Sequence, residues 1–276
     1  MKLSHAFIIL LGTAVLFIFS GIPINVSGNG QIVVCRGEIL QISARLLMNG
    51  TYGDPAQGQI IEFFDETNDC YIDSARTDLD GYACIDWYLP LSYRLGLTIV
   101  NATFRGNDTC ALTPSYQQTS VIIQASTYLD IKVERIDLVP GDEMIFTILL
   151  TDDNTNFLCN ESLEVFCGPT FLSSGKTNDT GHAKFLINCN QSWENLGLNN
   201  ITVIYKGNSQ EFFAPSEGSF LININKIETV IETNHQIPYY IALNDSIDFS
   251  LILKANDIPL ENASIGVWLN NEKFTN

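Results

Sequence analysis

Cations are scarce in this sequence: fourteen Lys and Arg stand against thirty-one Asp and Glu, a formal net charge of −17 over 276 residues. A surface of that sign repels phosphate backbones and anionic headgroups, which excludes nucleic acid as a partner class. Histidine is scarcer still, with His5, His182 and His235 as its three members. None has a second metal ligand at i, i+2 or i+4, and the chain has no G-x-S-x-G elbow, no phosphate-cradling glycine loop and no H-E-x-x-H. The sequence therefore supports neither catalysis nor a cofactor, and no catalytic, cofactor-binding or metal-ligating residue is assigned.

Two further absences narrow the reading. The seven cysteines (Cys35, Cys70, Cys84, Cys110, Cys159, Cys167 and Cys189) include no C-x-x-C pair, so neither a zinc knuckle nor a redox dithiol is written here. Beyond the N-terminus no stretch sustains a helical stripe, and no Gly/Ser-rich or Pro-rich linker breaks the chain. What remains is the composition of folded domains, 46% hydrophobic and 16% charged, with length for about two to three of them.

The chain starts with Lys2 and an unbroken apolar run, "AFIILLGTAVLFIFSG", over residues 6–21. That is short for a membrane span and suits the core of a secretory signal peptide. Residues 1–20 are expected to be a signal peptide cleaved after Ser20, with an uncleaved N-terminal anchor as the alternative. Export places the chain outside the cell, secreted or on the cell surface, where the acidic surface serves solubility.

The rest of the sequence repeats. "LGLTIVNATFRG" (95–106) matches "LGLNNITVIYKG" (196–207), and Pro114-Ser115 recurs as Pro215-Ser216, both offset by 101. "IIEFF" (60–64), "SLEVF" (162–166) and "SIGVW" (264–268) follow at steps of 102. "LQISARL" (40–46), "MIFTILL" (144–150) and "IDFSLIL" (247–253) complete a tandem array with a period near 101 residues. Leu40, Ile42, Ala44 and Leu46 alternate with polar neighbours, as do Val100, Ala102 and Phe104, and strict period two marks strands with one buried face. Turn residues punctuate these strands every eight to twelve positions, the rhythm of an all-β sandwich.

"TDLDGYA" (77–83) and "TNDTGHA" (177–183) are one polar turn written twice, with Thr77 and Gly81 matched by Thr177 and Gly181. The apolar alternation resumes at once, through Ala83, Ile85 and Trp87 or Ala183, Phe185 and Ile187. We read a β-hairpin in which residues 71–76 pair back on the following strand, with Gly at positive φ. Calcium binding by Asp78 and Asp80 is the alternative, weakened because Thr180 replaces Asp80 in the second copy and no ladder of oxygens follows.

The succession of an alternating strand, a polar loop, "G-x-x-I/V-x-F", "T-D-x-x-G-x-A-x-F/W" and "L-G-x-x-x-I-x-A-x-F/Y-x-G" resembles the immunoglobulin-like Big repeats, of invasin and intimin type, of bacterial and archaeal surface proteins. The resemblance covers residues 21–276. It implies tandem immunoglobulin-like β-sandwiches, used mostly as spacers with an occasional adhesive tip. Seven cysteines and many sequons depart from the bacterial members and point to a glycosylating host.

The expected organisation is a signal peptide at 1–20, one immunoglobulin-like domain at 21–124, a second at 125–225 and part of a third at 226–276. Linkers of a few residues imply restricted hinges and a semi-extended rod. The third copy stops where its polar turn should begin, the expectation for a fragment of a longer surface protein. That half-sandwich would leave Ile265, Val267 and Trp268 uncovered.

Ten N-x-S/T sequons are glycosylation candidates: Asn25, Asn49, Asn101, Asn107, Asn160, Asn178, Asn190, Asn200, Asn244 and Asn262. An Asn-rich composition producing sequons by chance is the alternative. Cys167 and Cys189 end strands at one end of the second sandwich and form the candidate disulfide. Cys35 with Cys70, and Cys84 with Cys110, are the weaker pairs, leaving Cys159 over. The aromatics Phe63, Phe64, Trp87, Phe166 and Trp268 are expected in cores. The functional expectation is a non-enzymatic extracellular stalk. Its alternatives are an adhesin binding a protein or glycan, or accessory repeats of a larger extracellular enzyme. Partners amount to a protein or glycan at most, with attachment to the cell envelope.

Overall fold

A strand with alternating apolar residues can bury one face only, so two sheets must close on each other. The structure, a computed structural model, describes residues 6–11, 32–48, 53–189, 196–233, 250–255, 257–269 and 272–274. The first module comprises β1 (Ala6–Leu11), β2 (Ile32–Cys35), β3 (Ile39–Met48), β4 (Ile60–Asp65), β5 (Cys70–Arg76), β6 (Tyr82–Tyr88), β7 (Gly96–Phe104) and β8 (Ser115–Gln124). The second repeats it with β9 (Thr127–Val133), β10 (Asp137–Leu138), β11 (Glu143–Asp152), β12 (Ser162–Cys167), β13 (Thr170–Lys176), β14 (His182–Asn188), β15 (Gly197–Tyr205) and β16 (Ser216–Ile224).

Each module packs a three-stranded sheet on a five-stranded one: β1-β3-β6 on β2-β8-β7-β4-β5, and β9-β11-β14 on β10-β16-β15-β12-β13. The short strands β2 and β10 run parallel to β8 and β16, and the other pairings are antiparallel. A first strand in one sheet, a short second strand in the other and Greek-key returns make this the immunoglobulin-like sandwich. The alternating residues meet between the sheets, Leu40 to Leu46 with Trp87 and Phe104 in one core, Met144 to Leu150 with Phe185 and Tyr205 in the next. Burying each such side chain contributes about 1.5–3 kcal/mol.

The third copy contributes β17 (Thr229–Thr233), β18 (Leu251–Ala255), β19 (Ile258–Pro259), β20 (Val267–Leu269) and β21 (Glu272–Phe274). β17 pairs with β18 as β9 does with β11.

Three expectations need correction. The recurrent polar turn is not a hairpin: β5 pairs with β4, and β6 pairs with β3 in the opposite sheet. Thr77 to Gly81, and Thr177 to Gly181, therefore form the corner where the chain crosses between sheets. Thr77 Oγ1 donates to the Ala56 carbonyl at 2.5 Å and accepts from Gln59 N at 2.9 Å. Thr177 makes the same two bonds to Leu158 at 2.6 Å and Glu161 at 3.0 Å. Asp78 Oδ1 accepts from the amides of Asp80 and Tyr82, and Asn178 Oδ1 from those of Thr180 and His182. The motif recurs because each sandwich needs its corner bolted to the loop behind β3 or β11.

Second, Phe64, Phe166 and Trp268 lie outside the cores. Consecutive residues of a strand face opposite ways, so burying Phe63 and Val165 turns Phe64 and Phe166 outward. Each then meets an aromatic of the next strand edge to face, Tyr71 at 5.3 Å and Phe171 at 5.6 Å. Trp268 is 62% exposed.

Third, none of the seven cysteines is in a disulfide. Cys35 and Cys70 belong to β2 and β5, the two opposite edges of a five-stranded sheet, about 19 Å apart at ~4.8 Å per strand. Cys84 and Cys110 are both exposed, on β6 of one sheet and in the turn after β7 of the other. Cys167 and Cys189 are buried in the second core, where the Cys167 thiol donates to Asn199 Oδ1 at 4.0 Å. Burial pushes the Cys167 thiol above its ordinary range.

Within the apolar run, residues 6–11 form a strand. β1 pairs with β3 so that Ala6 faces Met48, the place Thr127 takes opposite Asp152 in the second module.

Candidate functional site at the inter-module joint

Two residues, Ala125 and Ser126, separate β8 from β9. They are not a free tether. Ala125 is fully buried; its amide donates to Phe212 O at 2.9 Å, and its carbonyl accepts from Ala214 N at 2.9 Å. The linker is thus stitched into the turn between β15 and β16. Thr127 continues the seam, its hydroxyl bonded to Ala214 O at 2.9 Å and Ser216 Oγ at 2.7 Å. The Phe212 ring lies over Gly96 of the first module, where a Cβ would sit 3.5 Å from it. Phe212 holds φ at 60°, a left-handed conformation that costs a side-chain-bearing residue energy and that this contact helps to fix.

An ion pair locks the other side. Arg36, which follows β2, is held by its amide to Gln124 O at 2.9 Å. Its guanidinium reaches across to the second module, Nε to Asp153 Oδ2 at 3.3 Å and Nη2 to Asp153 Oδ1 in a forked pair. Asp152 Oδ2 lies 3.6 Å from Nη2, and Nη1 donates to Tyr93 O at 3.5 Å. The three side chains are 8%, 6% and 3% exposed for Arg36, Asp152 and Asp153. Asp152 also accepts from Asn154 N and Asn156 N, which sets the loop, and Asn154 Nδ2 returns a bond to Leu91 O at 3.1 Å. Asp153 also caps the linker through Ser126 N at 3.2 Å. Cys35 sits against this cluster, its thiol raised by burial, an effect partly offset by a hydrogen bond with Ser126 and added to by Glu38 and Asp153.

Sequence reasoning missed this site. Its signal was a departure from the repeat: "TDDN" at 151–154 stands where the other copies have "LMNG" (47–50) and "KAND" (254–257). At the next junction Pro140 occupies the place of Arg36 and Ala255 that of Asp152, facing Thr229 as Asp152 faces Thr127. The linker of residues 225–228 there is largely exposed. Among the described residues, the ionic joint belongs to the first junction.

A second feature recurs in both modules. A shallow polar cleft of ≈ 290 Å³ lies between the start of β4 and the turn after β7, lined by Gln59, Glu62, Arg105 and Asn107. Its counterpart of ≈ 400 Å³ is lined by Glu161, Glu164, Lys206 and Asn208. An ion pair of 2.6 Å crosses each, Arg105 to Glu62 and Lys206 to Glu164.

The sequons divide by engagement. Asn101 donates to Glu66 at 2.6 Å, and Asn107 donates to Gln59 at 2.8 Å while capping Thr109 N and Cys110 N. Asn160 and Asn178 are exposed but accept bonds, from Lys176 Nζ at 3.2 Å and from the amides of Thr180 and His182, and Asn200 and Asn262 are exposed. Asn25, Asn49, Asn190 and Asn244 lie outside the described residues.

No protein-family model matches the chain, and no curated protein matches it in sequence. Among solved structures it is similar to the fibronectin(III)-like modules of Clostridium thermocellum CbhA, with 14% identity over 70% of this chain and 89% of that one at a TM-score of 0.33. The D0-D1 domain of intimin aligns at 15% identity over 68% and 93% of the two chains, with a TM-score of 0.27. A tetra-tandem repeat from the extending region of a large adhesion protein aligns at 12% identity and a TM-score of 0.30, covering 84% of this chain and about half, 52%, of that one. At such scores the strand order itself, rather than these similarities, identifies the modules as immunoglobulin-like sandwiches.

Proposed function

We propose that this chain is a non-enzymatic structural stalk, exported and displayed at or beyond the cell surface, whose modules hold an attached element at a set distance and orientation. The carrying observation is the joint. A spacer that only tethers needs a loose linker, whereas one that transmits orientation needs neighbouring modules to share contacts. Arg36 with Asp152 and Asp153, together with the Ala125 seam, is a shared contact of that kind. The apolar N-terminal run and the acidic surface support export.

The test is a pair of spin labels, one on each complete module of the full chain, read by pulsed dipolar spectroscopy. The stalk reading expects one narrow distance distribution in the wild type and a broadened one in Arg36→Ala. A broad wild-type distribution would remove the reading.

An adhesin is the second reading, favoured by the cleft that both modules build around an acid–base pair. Binding of a glycan or peptide probe that Glu62→Gln and Glu164→Gln together abolish would select it over the stalk.

A further inference from the structure

The outward face of the second module's five-stranded sheet carries an apolar patch among the polar residues expected of a solvated sheet. Leu198 on β15 is 72% exposed and Leu221 on β16 is 54% exposed. Phe166 and Phe171 continue the patch across β12 and β13 as an edge-to-face pair. In its midst stands Asn200. It shares the outward phase of β15 with Leu198 and Thr202, faces Leu221 directly across the ladder, and lies one step from the Thr202–Phe166 pair. Opposite residues of such a ladder are about 5 Å apart and diagonal ones about 7–8 Å. Leu198, Leu221 and Phe166 are therefore within reach of the first sugars of a glycan rooted at Asn200, with Phe171 one strand further out.

Asn200 opens the sequon Asn200-Ile201-Thr202. Among the described residues its side chain is exposed and engaged in no hydrogen bond. That separates it from Asn101, the sequon of the equivalent face in the first module. The Asn101 amide is clamped to Glu66, which also accepts from Gln118 Nε2 at 2.5 Å, and a sugar there would break the clamp.

We propose that Asn200 is N-glycosylated and that its glycan covers this apolar face, shielding the sheet from self-association. The donor is a lipid-diphosphate-linked oligosaccharide. The Asn200 amide nitrogen forms the bond to the anomeric carbon of the first sugar, the bond from that carbon to the diphosphate oxygen breaks with its electron pair leaving on the lipid diphosphate, and the amide proton passes to a base of the transferase. The apolar faces of the sugar rings then lie on Leu198, Leu221 and Phe166, removing surface that otherwise favours association. The proposal rests on the export reading, because the donor and its transferase act on translocated chains.

The experiment expresses the full chain with its own N-terminus in a glycosylating host and maps site occupancy by mass spectrometry. Asn200→Gln and Thr202→Ala each remove the sequon, and Thr202→Ser keeps it. The expected result is occupied Asn200 in the wild type and Thr202→Ser. Loss of the glycan in the other two should raise binding of an apolar dye by about twofold or more, with concentration-dependent association in sedimentation. Leu221→Ser added to Asn200→Gln should return both readings toward wild type. Secretion with other sequons occupied and Asn200 bare would overturn the proposal while leaving export intact. If such a chain pairs through this face, a second copy is the occupant instead. An occupied Asn200 whose loss changes neither reading would overturn the shielding role. A chain retained inside the cell without any glycan would overturn the export reading and this proposal together.

Discussion

Arg36 and Asp153 are 117 residues apart in sequence and meet fork to fork in the buried joint. Removing the cation leaves two carboxylates there without a counter-charge, and breaking a buried pair from one side costs about 3–5 kcal/mol. Arg36→Ala should therefore lower the unfolding free energy by an amount of that order, read as a lower urea midpoint. Replacing the forked pair, as in Arg36→Leu with Asp153→Leu, should recover part of the loss, since apolar groups of similar size substitute well for a buried pair while Asp152 keeps its hydrogen bonds to Asn154 and Asn156. Urea denaturation of the three chains checks this. An Arg36→Ala midpoint equal to wild type would mean that the pair contributes nothing.

Thr77 and Thr177 are each 4% exposed, and each joins a corner to a loop through one hydroxyl. Val keeps the shape and deletes the hydroxyl, leaving the Ala56 or Leu158 carbonyl without that donor at a cost of about 1–3 kcal/mol. Thr77→Val and Thr177→Val should each destabilise their own module by that amount, and Thr77→Ser should retain most of the stability. Equal denaturation curves for Val and Ser would show that packing, not the hydroxyl, secures the corner.

Glycines offer a cleaner comparison at the same corner. A Cβ on Gly81 would meet Leu46 O at 2.6 Å, whereas one on Gly58 would meet nothing within 4 Å, although both glycines have positive φ. Gly58→Ala should lose only the left-handed penalty of about 1–2 kcal/mol, and Gly81→Ala should lose more, because backbone must move as well. Thermal unfolding of the two variants decides it, and equal losses would remove the close-approach argument.

Much of this was legible because strand period two is a local signal. Leu40 to Leu46 and Met144 to Leu150 announce their buried face without reference to any partner, and the spacing of the copies carries the assignment from one module to the next. The hairpin reading failed at Thr77 because a short polar turn looks the same whether the next strand pairs back or crosses to the other sheet; only the partner of β6 decides. The joint was illegible for a related reason. A lone Arg36 and an Asp-Asp step are ordinary surface residues until the fold brings β2 of one module against the loop after β11 of the next.

Two tyrosines give a pH signature. Tyr93 donates its hydroxyl to Asp65, and Tyr205 donates to Glu161 at 3.0 Å. Burial first, and the adjacent carboxylate second, push both phenols well above their ordinary range. A phenol whose folded pKa is raised adds stability that is complete below the unfolded pKa, about 10, and that disappears as pH climbs from there toward the folded value. The chain should keep this contribution through neutral and mildly alkaline pH and lose it above about pH 10. Absorbance of tyrosinate under native conditions, compared with Tyr93→Phe and Tyr205→Phe, tests the assignment; if wild-type and variant titrations coincide near the ordinary phenol value, it fails.

The first module depends on β1 for one edge of its smaller sheet, and β1 is part of the run that reads as a leader. Residues Ala6–Leu11 pair with 43–48 of β3, as β9 covers β11 in the second module. A chain beginning after Ser20 loses β1, and the β3 amides that bond to it become an open sheet edge. Amide exchange follows local opening, so those amides in the shortened chain should exchange much faster than in the full chain. The amides of β11 that face β9 provide the internal standard and should keep their protection in both. Hydrogen–deuterium exchange with peptide resolution over 39–48 and 143–152 makes the comparison. If β3 is as protected in the shortened chain as in the full one, β1 is dispensable to the fold and another segment closes that edge.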